Sequence, residues 1–183
     1  MLVNFNKIHF VYQELLKSKK WNDAVKKYKS SKIILYYGHG GNLGVTDHAA
    51  IDLTRLTKNK KIGFSLGSSI QTTSLINDDS FENLFKNWIA IHLESFKKNK
   101  KDICCIGVTS SGKSKNFHTA LNFIKKNNLK SIYFTSVRLD KNEKFHTELY
   151  TDVNAYHESE VVSLALTYEL IHSAGYYCPK IKK

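Results

Sequence analysis

The sequence predicts an α/β fold, a doubly wound five-stranded parallel sheet covered by helices on both faces. Three observations carry this expectation. Short apolar runs alternate with longer stretches of helical period along the chain. The runs are apolar at successive positions, as strands buried on both faces must be. Two of them end in loops rich in glycine or hydroxyls that lead into helices, the pattern of βαβ units.

The elements follow in order. Residues 5–29 have helical spacing, with Phe10, Tyr12, Leu15, Leu16, Trp21, Ala24 and Tyr28 as the apolar set. Ile33 to Tyr37 is a compact strand ending at Gly38. Residues 45–57 return to helix through Ala49, Ala50, Leu53 and Leu56. Lys61 to Leu66 reads as the second strand. Ser80 is the N-cap of an amphipathic helix over 80–98, carrying Phe81, Leu84, Phe85, Trp88 and Ile89. Ile103 to Val108 is the third strand, 115–127 a helix, and Ser131 to Thr135 the fourth strand. Leu149 to Val153 is expected as the fifth, and a helix near 158–173 closes the chain. Right-handed crossovers leave few topologies for such an order. The division is an N-terminal helical extension, residues 1–30, and one α/β domain, residues 31–183.

The chain has 183 residues and a net charge of +12, from 28 Lys+Arg against 16 Asp+Glu. That length suits one domain with a sizeable core. Arg55 and Arg138 are the arginines, so nearly all the cations are lysine. Nucleic-acid readers lean on the arginine fork, so the excess is expected to be solvated helix faces and nucleic acid is not the expected partner; direct DNA binding through the lysines is the third and weakest alternative. No apolar run approaches the ~20 residues of a membrane helix, and the segment from Met1 to Lys7 lacks the apolar core of a signal peptide. Cys104, Cys105 and Cys178 are too sparse for a disulfide framework. The expectation is a cytoplasmic protein with no membrane contact.

Two loops carry the chemistry. Gly38-His39-Gly40-Gly41-Asn42 follows the first strand, and its glycines let backbone N–H groups approach a ligand. Thr109-Ser110-Ser111-Gly112-Lys113-Ser114 follows the third strand and precedes a helix. Its hydroxyls, lysine and helix N-terminus suit a phosphate dianion. Counted from Gly107, this stretch also satisfies the nucleotide-binding spacing G-x-x-x-x-G-K-S/T. No strand ending in a clear magnesium-binding Asp follows it.

Together the loops resemble the SIS (sugar isomerase) family, and within it the phosphoheptose isomerases. The family's G-N-G-G-S loop is matched by Gly38 to Asn42, and its G-x-S-T-S-G-N-S loop by Gly107 to Ser114. Its N-D-x-x-Y/F-x-x-x-F stretch is matched by Asn77 to Phe85, which implies a binding role for Asp78. His48 and Asp52 stand where the family has a His and a Glu four residues apart. His157-Glu158 stands at the start of its Q-E-x-H-x-x-x-x-H helix. The resemblance covers about residues 30–173. It implies a three-layer, flavodoxin-like SIS domain and aldose–ketose isomerisation of a phosphorylated sugar. It also implies no organic cofactor and assembly as a homodimer or homotetramer, with the N-terminal helix as interface through Phe10, Tyr12 and Trp21.

The site residues implied are of two kinds. His39, Gly40, Gly41, Asn42, Asp78, Thr109, Ser110, Ser111, Lys113 and Ser114 would hold the substrate and its phosphate. His48, Asp52, His157 and Glu158 would carry catalysis, with His48, Asp52 and His157 as N/O ligands suited to zinc and Glu158 as a proton carrier. The departures are His39 for Asn, Asn42 for Ser, Asp52 for Glu, and Ala165 where the family has a ligating, proton-transferring histidine. The glycine pair usual after the fourth strand is also missing. The alternative function is therefore a non-catalytic phosphosugar-binding regulatory or scaffold module. His92, His118, His146 and His172 read as surface or helix-face residues.

Overall fold

The computed structural model describes residues 2–67, 69–139 and 146–181. Five parallel strands form one sheet: β1 (Ile33–Gly38), β2 (Ile62–Ser65), β3 (Ile103–Thr109), β4 (Lys130–Thr135) and β5 (His146–Tyr150). Their order is β2-β1-β3-β4-β5. The order reverses between β1 and β3, and a doubly wound sheet opens its ligand crevice at that point.

Side chains alternate across the sheet and build a core on each face. Ile34 and Tyr36 of β1, with Cys104, Ile106 and Val108 of β3, face one layer of helices. That layer is α1 (Phe5–Lys17), α2 (Lys19–Lys29), α3 (Gly41–Leu56) and α7 (Tyr156–Ser173). Ile33, Leu35, Tyr37 and Cys105 face the other layer. It holds α4 (Ser69–Asp78), α5 (Leu84–Ser95) and α6 (Lys115–Lys126). Adjacent Cys104 and Cys105 thus point to opposite faces and cannot bridge. Burial pushes the Cys104 thiol up to about 12, so it is inert.

Several boundaries differ from the sequence expectation. The single helix over 5–29 is two helices broken at Ser18, whose Oγ donates to Leu15 O at 2.7 Å and accepts from Trp21 N at 3.0 Å. Both helices pack on the main core, and Trp21 is buried there, so it cannot serve an interface. Phe10 stays exposed. Helix α4 was not expected, because none of its residues is buried and no apolar stripe marks it. Ser80 does cap, accepting from Asn83 N at 3.3 Å. It caps a 3-10 turn, Phe81–Asn83, that leads into α5.

The fifth strand starts three residues before the expected Leu149. Thr147 and Glu148 are buried and hydrogen-bonded there, which hides the strand from an apolar pattern. Thr147 Oγ1 bonds Asp23 and Lys27 of α2. Glu148 Oε1 accepts from Leu139 N at 2.7 Å. His146 is buried on this strand, contrary to its expected surface position.

Candidate active site

The two unusual loops lie side by side because β1 and β3 are neighbours, with Gly38 opposite Val108. Glycine is required at Gly38, where a Cβ would stand 3.0 Å from both Asn42 O and Val108 O. Asn42 Nδ2 donates to Ser110 Oγ at 3.2 Å and ties the loops together. His39 packs its ring on Phe85, with centroids 4.5 Å apart, and its Nε2–H donates to Asn116 Oδ1 at 2.8 Å. In the second loop Gly112 takes φ +63°, the left-handed region. There its N–H donates to Thr109 Oγ1 at 3.2 Å.

Three helices begin at this point, and none is capped by a side chain at Gly40, Ser114 or Ala155, which precede α3, α6 and α7. Their positive dipole ends converge on one crevice, although the Asn42, Leu43 and Phe117 N–H groups turn back onto His39, Gly40 and Ser114 O. A cleft of about 270 Å³ lies there, lined by both loops together with Tyr156, His157 and Glu160 of α7. A second hollow of about 300 Å³ shares Ser110, Ser111 and Tyr156 with it and adds Lys113, Ser136 and Asn154. Hydroxyls and an ammonium thus occupy one end of the crevice, and an imidazole and a carboxylate the other.

Of the expected binding residues, His39, Gly40, Gly41, Asn42, Thr109, Ser110, Ser111 and Ser114 line the cleft, and Lys113 lines the adjoining hollow. Asp78 does not join them. It is exposed at the end of α4, where it accepts from Ser74 and Asn77. Gly107 is no phosphate-loop glycine, so the nucleotide-type spacing is coincidental. It lies inside β3, where a Cβ would come 2.8 Å from the rings of Phe117 and Tyr37.

The expected catalytic set is not brought together. His157 lines the cleft, whereas His48 and Asp52 line a different one of about 280 Å³ between α3 and α7. There His48 Nε2–H donates to Asp52 Oδ2 at 3.2 Å, and its Nδ1 accepts from Tyr168 at 3.2 Å. Asp52 Oδ1 accepts from Arg55 at 2.9 Å. Both Asp52 oxygens are therefore already engaged. Among the described residues no group of three or more His, Cys, Asp or Glu is placed to hold a metal. Zinc does not fit His48, Asp52 and His157 as this chain holds them.

Glu158, expected as a proton carrier, is buried and turned to the backbone. Its Oε1 accepts from Asn4 N at 2.9 Å and its Oε2 from Asn154 N at 3.4 Å. It ties the start of α1 to the start of α7. The carboxylate facing the cleft is instead Glu160, which packs over Gly41 where any Cβ would collide with it. Sequence reasoning passed over Glu160, although it stands three residues after His157 on the same helix face. Tyr156 and Ser136 were also missed, and no spacing marks them.

The five-stranded α/β fold is the one seen in SIS, or sugar isomerase, domains, and the two loops resemble theirs. Among proteins of that fold the chain is similar to phosphoheptose isomerases. The phosphoheptose isomerase of Thermodesulfovibrio yellowstonii is 31% identical over 112 residues, 59% of this chain and 53% of that relative. The chain therefore matches about half the length of that curated relative. The structure of phosphoheptose isomerase GmhA from Neisseria gonorrhoeae superposes with a TM-score of 0.74 at 16% identity, covering 93% of this chain and 94% of that one. The Vibrio vulnificus NanR protein complexed with ManNAc-6P superposes at 0.61 and 16% identity, covering 92% of this chain and 59% of that one. No family model matches the chain.

Proposed function

We propose that the protein binds a phosphorylated sugar in the cleft between β1 and β3 and interconverts its aldose and ketose forms. The observation that carries this is the meeting of three uncapped helix N-termini at a cleft that holds hydroxyls at one end and His157 and Glu160 at the other. The sugar's phosphate docks at Ser110, Ser111 and Ser114, with the Lys113 ammonium beside it. The Glu160 carboxylate takes the proton from the carbon next to the carbonyl and returns it to the neighbouring carbon. The His157 imidazole moves the hydroxyl proton between the two oxygens, so the enediol forms and collapses with no net proton change. The relative from Thermodesulfovibrio yellowstonii suggests a seven-carbon ketose phosphate as substrate.

The reading carries a cytoplasmic location and a homodimer or homotetramer. Exposed Phe5 and Phe10 of α1 support the assembly, and a sedimentation mass above that of one chain is expected. Calorimetric titration tests the phosphate site. The phosphorylated sugar should bind, its dephosphorylated form should not, and a Ser110→Ala/Ser111→Ala variant should weaken binding at least tenfold. Equal binding of both sugars would refute the assignment. A regulatory phosphosugar-binding module is the second reading, favoured by Ala165 and by the separation of His48 and Asp52 from His157. It predicts binding without turnover.

A further inference from the structure

The end of the molecule opposite the cleft carries a concentration of lysines that the isomerase reading does not use. All strands are parallel, so strand starts and the ends of the covering helices share one edge. Helix α2 ends there on Lys26 and Lys29, and Lys32 precedes β1; all three are exposed. Exposed Lys58 and Lys60 precede β2. A 3-10 turn, Lys97–Asp102, brings Lys98, Lys100 and Lys101 to the start of β3. Helix α6 ends on Lys125 and Lys126.

Register sets these residues in a row across the sheet edge, because Ile33 pairs with both Ile62 and Ile103. Carboxylates are sparse here. Asp102 is half-buried, and Glu94 pairs with Lys97 at 3.1 Å. Asp152, Glu158 and Glu160 stand at the cleft end instead. Lys61 is buried with its Nζ donating to three backbone carbonyls, and desolvation, together with the charge of Lys130, holds its pKa below the usual lysine value.

We infer that this edge binds the phosphate backbone of duplex nucleic acid without reading its sequence. Lysine is a point charge, which suits phosphates and not base edges. None of the exposed large aromatic residues, Phe5, Phe10, Phe81, Tyr156 and Tyr177, lies on these turns, so no platform for stacking single-stranded bases is present among the described residues. The same lack of apolar side chains, Ile62 apart, gives a bilayer little to take up. The lysines precede four adjacent strands, β2-β1-β3-β4, about 4.8 Å apart, and so span about 14 Å. Duplex DNA carries one charge per ~1.7 Å of axis with both strands counted, so about eight phosphate charges lie along that width and only part of them face the protein. The composition alone argued against a nucleic-acid partner; the placement of the lysines argues for one.

The test is fluorescence anisotropy of a labelled 20-base-pair duplex with the full chain, from 50 to 200 mM salt. With about five phosphates contacted, affinity should fall about 500-fold over that range. Scrambling the sequence should change nothing. Lys98→Gln/Lys100→Gln/Lys101→Gln should flatten the log–log salt slope by about 2.7. Lys26→Gln/Lys29→Gln/Lys32→Gln should act similarly, and sugar-phosphate binding should be unchanged in both variants. No binding at 50 mM salt would overturn the inference. So would an unaltered slope in both variants, or uptake by phosphatidylserine vesicles with none by the duplex.

Discussion

Gly41→Ala is the sharpest perturbation of the cleft that leaves the fold alone. The added Cβ would collide with the Glu160 carboxyl, the far end of a flexible side chain, while the φ of Gly41 is ordinary. Glu160 can swing away, so the cost in packing is small. Gly41 is the first residue of α3, where alanine gains less over glycine than the mid-helix value of about 0.5–1 kcal/mol, so only part of that cost is offset. Stability should therefore change by less than about 1 kcal/mol, or about 2–4 °C in Tm for a chain of this size. Activity should suffer, because a positioned base contributes roughly 100-fold to 10,000-fold to proton transfer. A displaced one should lower kcat at least tenfold, with sugar-phosphate affinity nearly unchanged. Thermal melts, titration calorimetry and turnover on the same preparation separate these effects. Gly107→Ala is the contrast, since its Cβ would meet the buried rings of Phe117 and Tyr37 at 2.8 Å. Overpacking of that kind costs about 1–3 kcal/mol. Full kcat in Gly41→Ala would refute the working position assigned to Glu160.

Two further outcomes follow from buried titratable groups. Glu158→Gln removes a carboxylate that accepts two backbone N–H groups. The loss should be about 1.5–3 kcal/mol, with kcat of the folded protein unchanged; a large fall in kcat at unchanged Tm would restore Glu158 to the chemistry. His92 sits among Phe64, Trp88 and Phe96, and burial lowers its pKa. The unfolded chain then binds the proton more readily, so this contribution is complete above the ordinary histidine value of about 6.5 and is lost as pH falls toward the folded pKa. The acid limb of a Tm–pH profile should flatten in His92→Phe; an unchanged limb would contradict the assignment.

Most of the fold was legible because β1, β3 and β4 are continuous apolar runs that only a doubly covered sheet accommodates. Helix α4 was illegible because its inner face is only half-buried, through Leu75 and Ile76, and β5 was displaced because Thr147 and Glu148 are buried polar residues with hydrogen-bond partners outside the strand. The two unusual loops were legible from composition. Their adjacency required the strand order, and the uncapped ends of three helices required coordinates. Resemblance directed attention to His48, Asp52 and Glu158, whose partners in this chain are Tyr168, Arg55 and backbone amides. Glu160 falls on the first histidine position of the Q-E-x-H-x-x-x-x-H helix, a departure that sequence reasoning passed over, and the glycine beneath it shows how the chain leaves room there.

The most direct test is proton NMR of a seven-carbon ketose phosphate incubated with the protein in heavy water. The account predicts conversion to the aldose with deuterium entering at the carbon beside the carbonyl, and loss of both signals in Glu160→Gln while the sugar phosphate still binds. Bound substrate with no exchange at that carbon in the unaltered protein would contradict it.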